Sequence, residues 1–330
     1  MAPILDRSIS AAVSEQQSVL EHRLRGRDFL AVAELAADEV AGLLDLATAY
    51  KQGADPGRPL AGRSLAMIFL RPSNRTRVSF EVGIAQLGGH PIALFDREIE
   101  LGRRESVADV ARILDGFVDG LVARVPSHRD LLGLAANMRH PVINAMTDQG
   151  HPCQILADCL TVRELLGGLD GHRVTFIGDG NNVCNSWIEA ANLLGIDLRV
   201  VTPVGYAPSA AVLAAAEGLG PGRVAVTHDL AEGLEAAEIV YTDVWTSMGQ
   251  EPEHEQRRED FGPYQVNGAL LRQAPPGVRV LHCLPAHRGE EITDEVLDGP
   301  QAAVFQQAEN RLWAQQALLA AIFATSNESG

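Results

Sequence analysis

Leu65-Ala66-Met67-Ile68-Phe69-Leu70-Arg71-Pro72-Ser73-Asn74-Arg75-Thr76-Arg77 is followed by Val78, Phe80, Val82, Ile84, Ala85 and Leu87. The unbroken apolar run 65–70 has the length and character of a strand buried on both faces, and the spacing from Val78 onward suits a helix. Strand, short polar turn and helix is thus the unit from which the fold is read. The turn crowds two guanidiniums and two hydroxyls into Ser73-Asn74-Arg75-Thr76-Arg77. A helix N-terminus offers unpaired backbone N–H groups and partial positive charge, which suits a phosphate. Hydroxyls add donors, and arginine adds a planar fork matched to phosphate oxygens. The plainer alternative makes Ser73 an N-cap and both arginines surface charges.

The same rhythm extends outward. Strands are expected at 90–95, 120–124 and 141–145, with helices over 106–117 and 128–138. Upstream, Asp28 is expected to cap a helical stretch from Phe29 to Lys51, ahead of a Gly/Pro loop at 53–59. A long helix from Cys153 to Gly167 leads into a second series, with strands at 173–177, 198–201, 224–226, 239–241 and 278–282. A last extended piece is expected at 302–305 and a closing helix over 309–324. The fold class read from this alternation is α/β: two similar domains, each a parallel β-sheet flanked by helices. They are joined by long interdomain helices, with the active site expected in the cleft. The expected boundaries are an N-terminal extension at 1–24, a first domain at 25–148 onto which a C-terminal helix at 309–325 packs back, and a second domain at 149–308.

Composition narrows the function. The chain has 330 residues, 46% of them hydrophobic, and a formal net charge of −16. Strong acidity disfavours nonspecific nucleic-acid binding, yet permits an anionic small substrate wherever arginines gather locally. No apolar run is long enough to span a bilayer, so no membrane partner is expected. The first residues lack a basic stretch followed by an apolar core, so no export signal is expected. The four cysteines form no C-x-x-C pair. A reduced, cytoplasmic protein without a disulfide framework is the expectation.

Further motifs lie at strand ends. Gly178-Asp179-Gly180-Asn181-Asn182 invites a dinucleotide reading, but Val183 stands where the fingerprint needs its third glycine. Asn181, Asn182 and Ser186 suit a carboxylate or amine; turn chemistry is the alternative for the asparagines. His151 and Gln154, one turn apart, can bond a carbonyl oxygen and an amide nitrogen; a capping histidine is the alternative. Asp243, ahead of Ser247-Met248-Gly249, can recognise an ammonium on a loop that folds over a ligand. His282-Cys283-Leu284-Pro285 with His287 raises metal and cysteine-nucleophile readings, but no further ligands have zinc spacing, and no metal is expected. Glu309-Asn310-Arg311 adds one more arginine at a helix opening.

Together these residues resemble the aspartate/ornithine carbamoyltransferase family, and within it the ornithine enzymes. The resemblance covers about Arg25 to Phe323 and rests on Ser-x-Arg-Thr-Arg at 73–77, His-Pro-x-Gln at 151–154 and His-Cys-Leu-Pro at 282–285. The Asp-x-x-x-Ser-Met-Gly segment at 243–249 points to the ornithine branch. The resemblance implies that Ser73, Asn74, Arg75 and Thr76, assisted by Arg124, bind the phosphate of carbamoyl phosphate. His151 and Gln154 then hold the carbamoyl oxygen and nitrogen, while Cys283, Leu284 and Arg311 border the reacting centre. Asn182, Asp243, Ser247 and Met248 bind the amino-acid end of ornithine. Cys283, Arg124, His151 and Arg311 are the implied catalytic groups, transfer is direct, and no cofactor is used. A homotrimer or an assembly of trimers is implied. Asn74 and Glu100 depart from the family pattern at the phosphate turn and in the loop 100–106. Alternatives are a carbamoyltransferase for N-acylornithine or putrescine, a nicotinamide-dependent dehydrogenase, and a noncatalytic ligand-binding paralogue.

Overall fold

The computed structural model describes residues 18–247 and 251–324. Among these residues, nine strands form two parallel sheets, and the described residues fall into two compact units, 18–148 with 311–324, and those between 149 and 310. Each is described by itself.

In the first unit, β1 (Ser64–Phe69) lies between β2 (His90–Phe95) and β3 (Gly120–Arg124), and β4 (Val142–Met146) flanks β3, giving the order β2-β1-β3-β4. Leu65 to Phe69 are all buried, which explains why this strand reads as continuous apolar sequence rather than as an alternation. Helices α1 (Ala37–Lys51), α2 (Arg75–Gln86), α3 (Val107–Asp115) and α4 (His128–Ala135) complete the unit's main elements. Ile68, Leu121 and Val142 from the sheet pack with Val110 and Leu131 from α3 and α4. Register places Phe69 opposite Arg124, so the end of β3 lies beside the end of β1, just ahead of the Ser73 turn.

In the second unit, α5 (Pro152–Leu166) precedes β5 (Arg173–Ile177), and α6 (Asn182–Leu194) follows it. With β6 (Asp197–Val201), β7 (Arg223–Thr227), β8 (Ile239–Thr242) and β9 (Arg279–His282), the sheet order is β7-β6-β5-β8-β9. Phe176 stacks on Tyr241 with ring centroids 5.5 Å apart, and Trp187 meets Tyr241 edge-on at the same separation. Register sets Ile177 against Thr242 and Thr242 against His282. The residues that leave these three strands therefore emerge side by side.

The last helix, α7 (Val304–Ile322), gives its first residues to the second unit and its remainder to the first. Within the first unit, Arg63 Nη1 donates to Phe323 O at 2.7 Å, and Gln316 bonds Gln86 on α2.

Several boundaries differ from the sequence expectation. Phe29 does not open a helix: it bridges Ile143 on β4, and Asp28 Oδ1 accepts from Val142 N at 2.8 Å; a short 3-10 turn at Val32–Glu34 then precedes α1, which starts at Ala37. The apolar stretch 302–305 is not a strand: Ala302 makes one bridge to Val280, and α7 begins at Val304, earlier than expected. Order begins ahead of Asp28. Residues 18–24 are helical, with Leu20 and Leu24 buried one turn apart and Arg23 paired with Asp38 and Glu39. Residues 1–17 of the expected extension lie outside the described residues.

Candidate active site

Polar groups gather where each parallel sheet changes winding direction, between β1 and β3 in one unit and between β5 and β8 in the other. Ligands of open α/β sheets bind at the carboxyl ends of strands at such points, because adjacent loops diverge there.

In the first unit, α2 starts at Arg75 with Asn74 in the N-cap position, and no side-chain oxygen caps its first turn. Ser73 is therefore not the cap that the plainer alternative requires. Thr76, 2% exposed, accepts Arg311 Nη2 at 3.0 Å and Arg124 Nη1 at 3.4 Å. Two cations from β3 and α7 thus converge on the first turn of α2, and the hydroxyl that receives both keeps its own hydrogen as a donor. Such a convergence of cations on a helix N-terminus has the chemistry to attract an anion. Arg77 is not part of it: its Nη1 reaches Glu81 at 2.9 and 3.0 Å, one turn along α2. In the loop that carries Glu100, Arg103 Nη2 donates to both carboxylate oxygens of Asp96, at 2.9 and 3.0 Å.

In the second unit, Asp243 is the hub. It is buried, and its Oδ2 accepts Asn181 Nδ2 at 2.8 Å, while Oδ1 accepts its neighbour Val244 N at 2.8 Å and Cys283 Sγ at 3.0 Å. Asn181 also caps α6, its Oδ1 accepting Val183 N and Cys184 N. Asn182 is the first residue of that helix, and Ser247 ends the described part of the loop after β8. Met248 lies outside the described residues. The loop is tied down by Arg257, whose Nη1 donates to Trp245 O at 2.8 Å and Asp179 Oδ2 at 2.9 Å. Burial pushes the Asp179 carboxyl up, and the Arg257 charge opposes that shift.

The strand β9 delivers His282, Cys283 and Leu284. His282 Nδ1 accepts Leu284 N at 2.8 Å, so Nε2 carries the hydrogen it shares with Glu291 Oε1 at 2.9 Å. Leu284 is held at φ +58°, a left-handed conformation unfavourable for a branched side chain, of the kind that gathers at functional sites. Burial, then the Asp243 charge, raise the Cys283 thiol well above its ordinary range. A thiol held neutral and donating to a carboxylate is poorly suited to nucleophilic attack.

At the start of α5, His151 N donates to Ser186 Oγ at 2.9 Å, and Gln154 Nε2 donates to Asp158 Oδ1 at 2.8 Å. His151 occupies the N-cap position without capping by its side chain, so the capping alternative does not hold.

Among the described residues, Asp243, His282 and Cys283 place potential ligand atoms within 4.8 Å of one another, as do His287, Glu290 and Glu291. In the first group the Sγ, Nδ1 and carboxylate oxygens already carry the hydrogen bonds above, which a metal would have to displace. Sequence reasoning weighed Asn181 as a ligand group or turn residue but not as a helix cap, and it gave no role to Asp179, Arg257, Asp158 or Glu291. Asn181 had a readable signal, since an Asn before a helix is a strong N-cap; the others are joined only by tertiary contact.

These residues and folds define a doubly wound α/β protein with one polar cluster on each sheet, an arginine-rich helix mouth on the first and a carboxylate hub on the second. The description "Aspartate/ornithine carbamoyltransferase, carbamoyl-P binding domain" matches residues 27–164, and "Aspartate/ornithine carbamoyltransferase, Asp/Orn binding domain" matches residues 170–322. The ornithine carbamoyltransferase of Oceanobacillus iheyensis is 47% identical over 310 residues, covering 92% of this chain and 96% of that protein. The anabolic ornithine carbamoyltransferase of Pyrococcus furiosus is 47% identical over 305 residues, 91% and 97% of the two chains. A solved structure of ornithine carbamoyltransferase from Pyrococcus furiosus superposes with a TM-score of 0.88 at 46% identity, covering 91% of this chain and 98% of its own. This chain belongs to the aspartate/ornithine carbamoyltransferase family.

Proposed function

We propose that this chain transfers the carbamoyl group of carbamoyl phosphate to the side-chain amine of L-ornithine, giving L-citrulline and phosphate. The convergence of Arg124 and Arg311 on Thr76 at an uncapped helix mouth carries the reading. Ser73, Asn74, Arg75 and Thr76 receive the phosphate. Thr76, Arg124, His151 and Arg311 supply donors to the carbamoyl oxygen, and Gln154 takes the carbamoyl nitrogen. Cys283 and Leu284 border the reacting carbon. Asn182, Asp243, Ser247 and Met248 take the amino-acid end of ornithine. Residues 25–148 form the carbamoyl-phosphate domain and 149–308 the ornithine domain, and the reaction requires both to serve one ternary complex.

An alkylammonium with a pKa near ~10.4 is neutral in only about one molecule in a thousand near pH 7.4, so the enzyme must favour that form. Desolvation lowers the ammonium pKa, while the Asp243 carboxylate keeps the α-ammonium charged. Nucleophilic attack forms the new C–N bond and moves negative charge onto the carbonyl oxygen, where losing one preorganised donor costs about 3–4 kcal/mol in the barrier. Collapse breaks the C–O bond and releases phosphate, already a stable anion, into the arginine-lined mouth, and the proton that the amine nitrogen loses passes to a departing phosphate oxygen. The neutral Cys283 thiol supports direct transfer over a covalent acyl-enzyme.

The test is colorimetric citrulline formation by the purified chain from carbamoyl phosphate with ornithine, N-acetylornithine or putrescine. Turnover only with one of the latter two overturns the substrate assignment, and none with any overturns the reaction. The family resemblance further supports a homotrimer or assembly of trimers acting in the cytoplasm, which analytical ultracentrifugation and cell fractionation check.

A further inference from the structure

Asp158 is fully buried, and its carboxylate accepts from three side chains far apart in sequence. Oδ1 receives Gln154 Nε2 at 2.8 Å and Gln307 Nε2 at 2.7 Å, and Oδ2 receives the Tyr241 hydroxyl at 3.0 Å. Gln307 Oε1 in turn accepts His282 N at 2.8 Å. One carboxylate therefore connects the opening turns of α5 to β8, two residues before Asp243, and through α7 to β9, next to Cys283.

A side-chain amide has two nearly isosteric ends, and only hydrogen bonding decides which faces where. An ionised carboxylate accepts and never donates, so it selects the –NH2 end of Gln154. That choice turns Oε1, the accepting end, away from Asp158. A carbamoyl nitrogen carries only hydrogens, so an amide flipped the other way would oppose donor to donor. We propose that Asp158 is a positioning residue that fixes the Gln154 amide, and that it thereby sets preference for an acyl phosphate bearing N–H donors over its methyl isostere. The proposal rests on Gln154 taking the carbamoyl nitrogen, as above.

The test measures KM for carbamoyl phosphate and competitive inhibition constants for acetyl phosphate and inorganic phosphate, in the parent, Asp158→Ala and Gln154→Ala. Asp158→Ala raises KM for carbamoyl phosphate about tenfold or more, the cost of losing a buried hydrogen bond. Binding of acetyl phosphate and inorganic phosphate, which offer no N–H there, stays within about twofold. A merely structural role would weaken all three together. An unchanged ratio of carbamoyl to acetyl phosphate in Asp158→Ala, with the ratio lost in Gln154→Ala, overturns the proposal and leaves the reaction intact. An unchanged ratio in Gln154→Ala overturns the Gln154 assignment and the proposal with it. Should Asp158→Ala fail to fold, Asp158→Glu keeps the buried charge but shifts the acceptor by one methylene. The same loss of ratio is expected there, and its retention overturns the proposal.

Discussion

The sulfur of Cys283 lies 3.0 Å from Asp243 Oδ1 and gives that carboxylate its hydrogen. The two residues leave neighbouring strands immediately after a registered pair, Thr242 and His282, so the sheet itself sets the contact. Such a contact suits the thiol to support rather than to attack, because burial and the adjacent negative charge both resist its ionisation. Cys283→Ala is expected to retain citrulline formation, slowed about 10–100-fold by loss of one hydrogen bond to a charged group. Single-turnover assay with intact-mass analysis checks this; a carbamoylated parent enzyme, together with an inert variant, would show a covalent route. Alkylation of the parent by iodoacetamide should be slow between pH 7 and 8 for the same reason.

Arg75 opens α2 at the uncapped mouth. Arg75→Ala should fold as the parent does, with a melting temperature within a few degrees, while turnover falls by about two orders of magnitude or more from lost charge stabilisation. Arg77→Ala makes the contrasting control. Its guanidinium is bound to Glu81 on the helix surface, a pair worth only about 0.3–0.5 kcal/mol, so activity should be nearly unchanged. Parent-like citrulline formation by Arg75→Ala would remove the phosphate assignment.

Asn181 both caps α6 and steadies Asp243. Asn181→Ala should cost about 1 kcal/mol of stability through the lost cap. It should raise KM for ornithine severalfold while leaving KM for carbamoyl phosphate near the parent value. Steady-state kinetics with each substrate varied in turn decides the point, since equal changes in both constants would contradict a role confined to the amine side.

Gly180 sits in the turn after β5, where an added Cβ would lie 2.3 Å from Pro208 N and 2.7 Å from Ala207 C. Both are backbone atoms, so the turn must move. Gly180→Ala should lower the melting temperature by several degrees, equivalent to about 1–3 kcal/mol of overpacking, and weaken ornithine binding alongside. This close approach gives the glycine a structural reason that owes nothing to a dinucleotide.

Asp115 supplies a pH signature away from the site. Burial works against its ionisation. The Arg139 side chain, the backbone N–H groups of Arg139 and His140, and the His140 ring outweigh that and hold the carboxyl well below its usual range. A folded-state pKa below the unfolded value of ~3.9 adds stability above that pH, which fades as pH falls through the folded value. Asp115→Asn should therefore be less stable at pH 7 by about 1–3 kcal/mol, less whatever screening the exposed Arg139 suffers. The gap from the parent should narrow below about pH 4, in denaturation curves taken across that range. A gap that widens on acidification would contradict the sign.

Most of the architecture was legible because a strand covered on both faces leaves an unmistakable apolar run, as at 65–69, and a shorter one at 174–177 broken only by Thr175. Errors fell where an apolar stretch was short and met a helix, at 302–305, and where Phe29 adds an isolated bridge beside β4. Neither case has a period long enough to separate strand from helix. Leu20 and Leu24 were overlooked because two apolar residues in a polar segment become a stripe only once something packs on them.

The chain's own order of residues determined the strand–turn–helix units, the cationic turn at 73–77 and the pairing of Arg77 with Glu81, since each is settled within a helical turn. Tertiary structure alone decided that Arg124 and Arg311, 48 and 235 residues away, meet at Thr76, and that Asp243 receives both Asn181 and Cys283. A parallel sheet sets strand ends next to one another in an order that local periodicity does not encode. Which side chains become neighbours there is fixed only when the strands choose their partners.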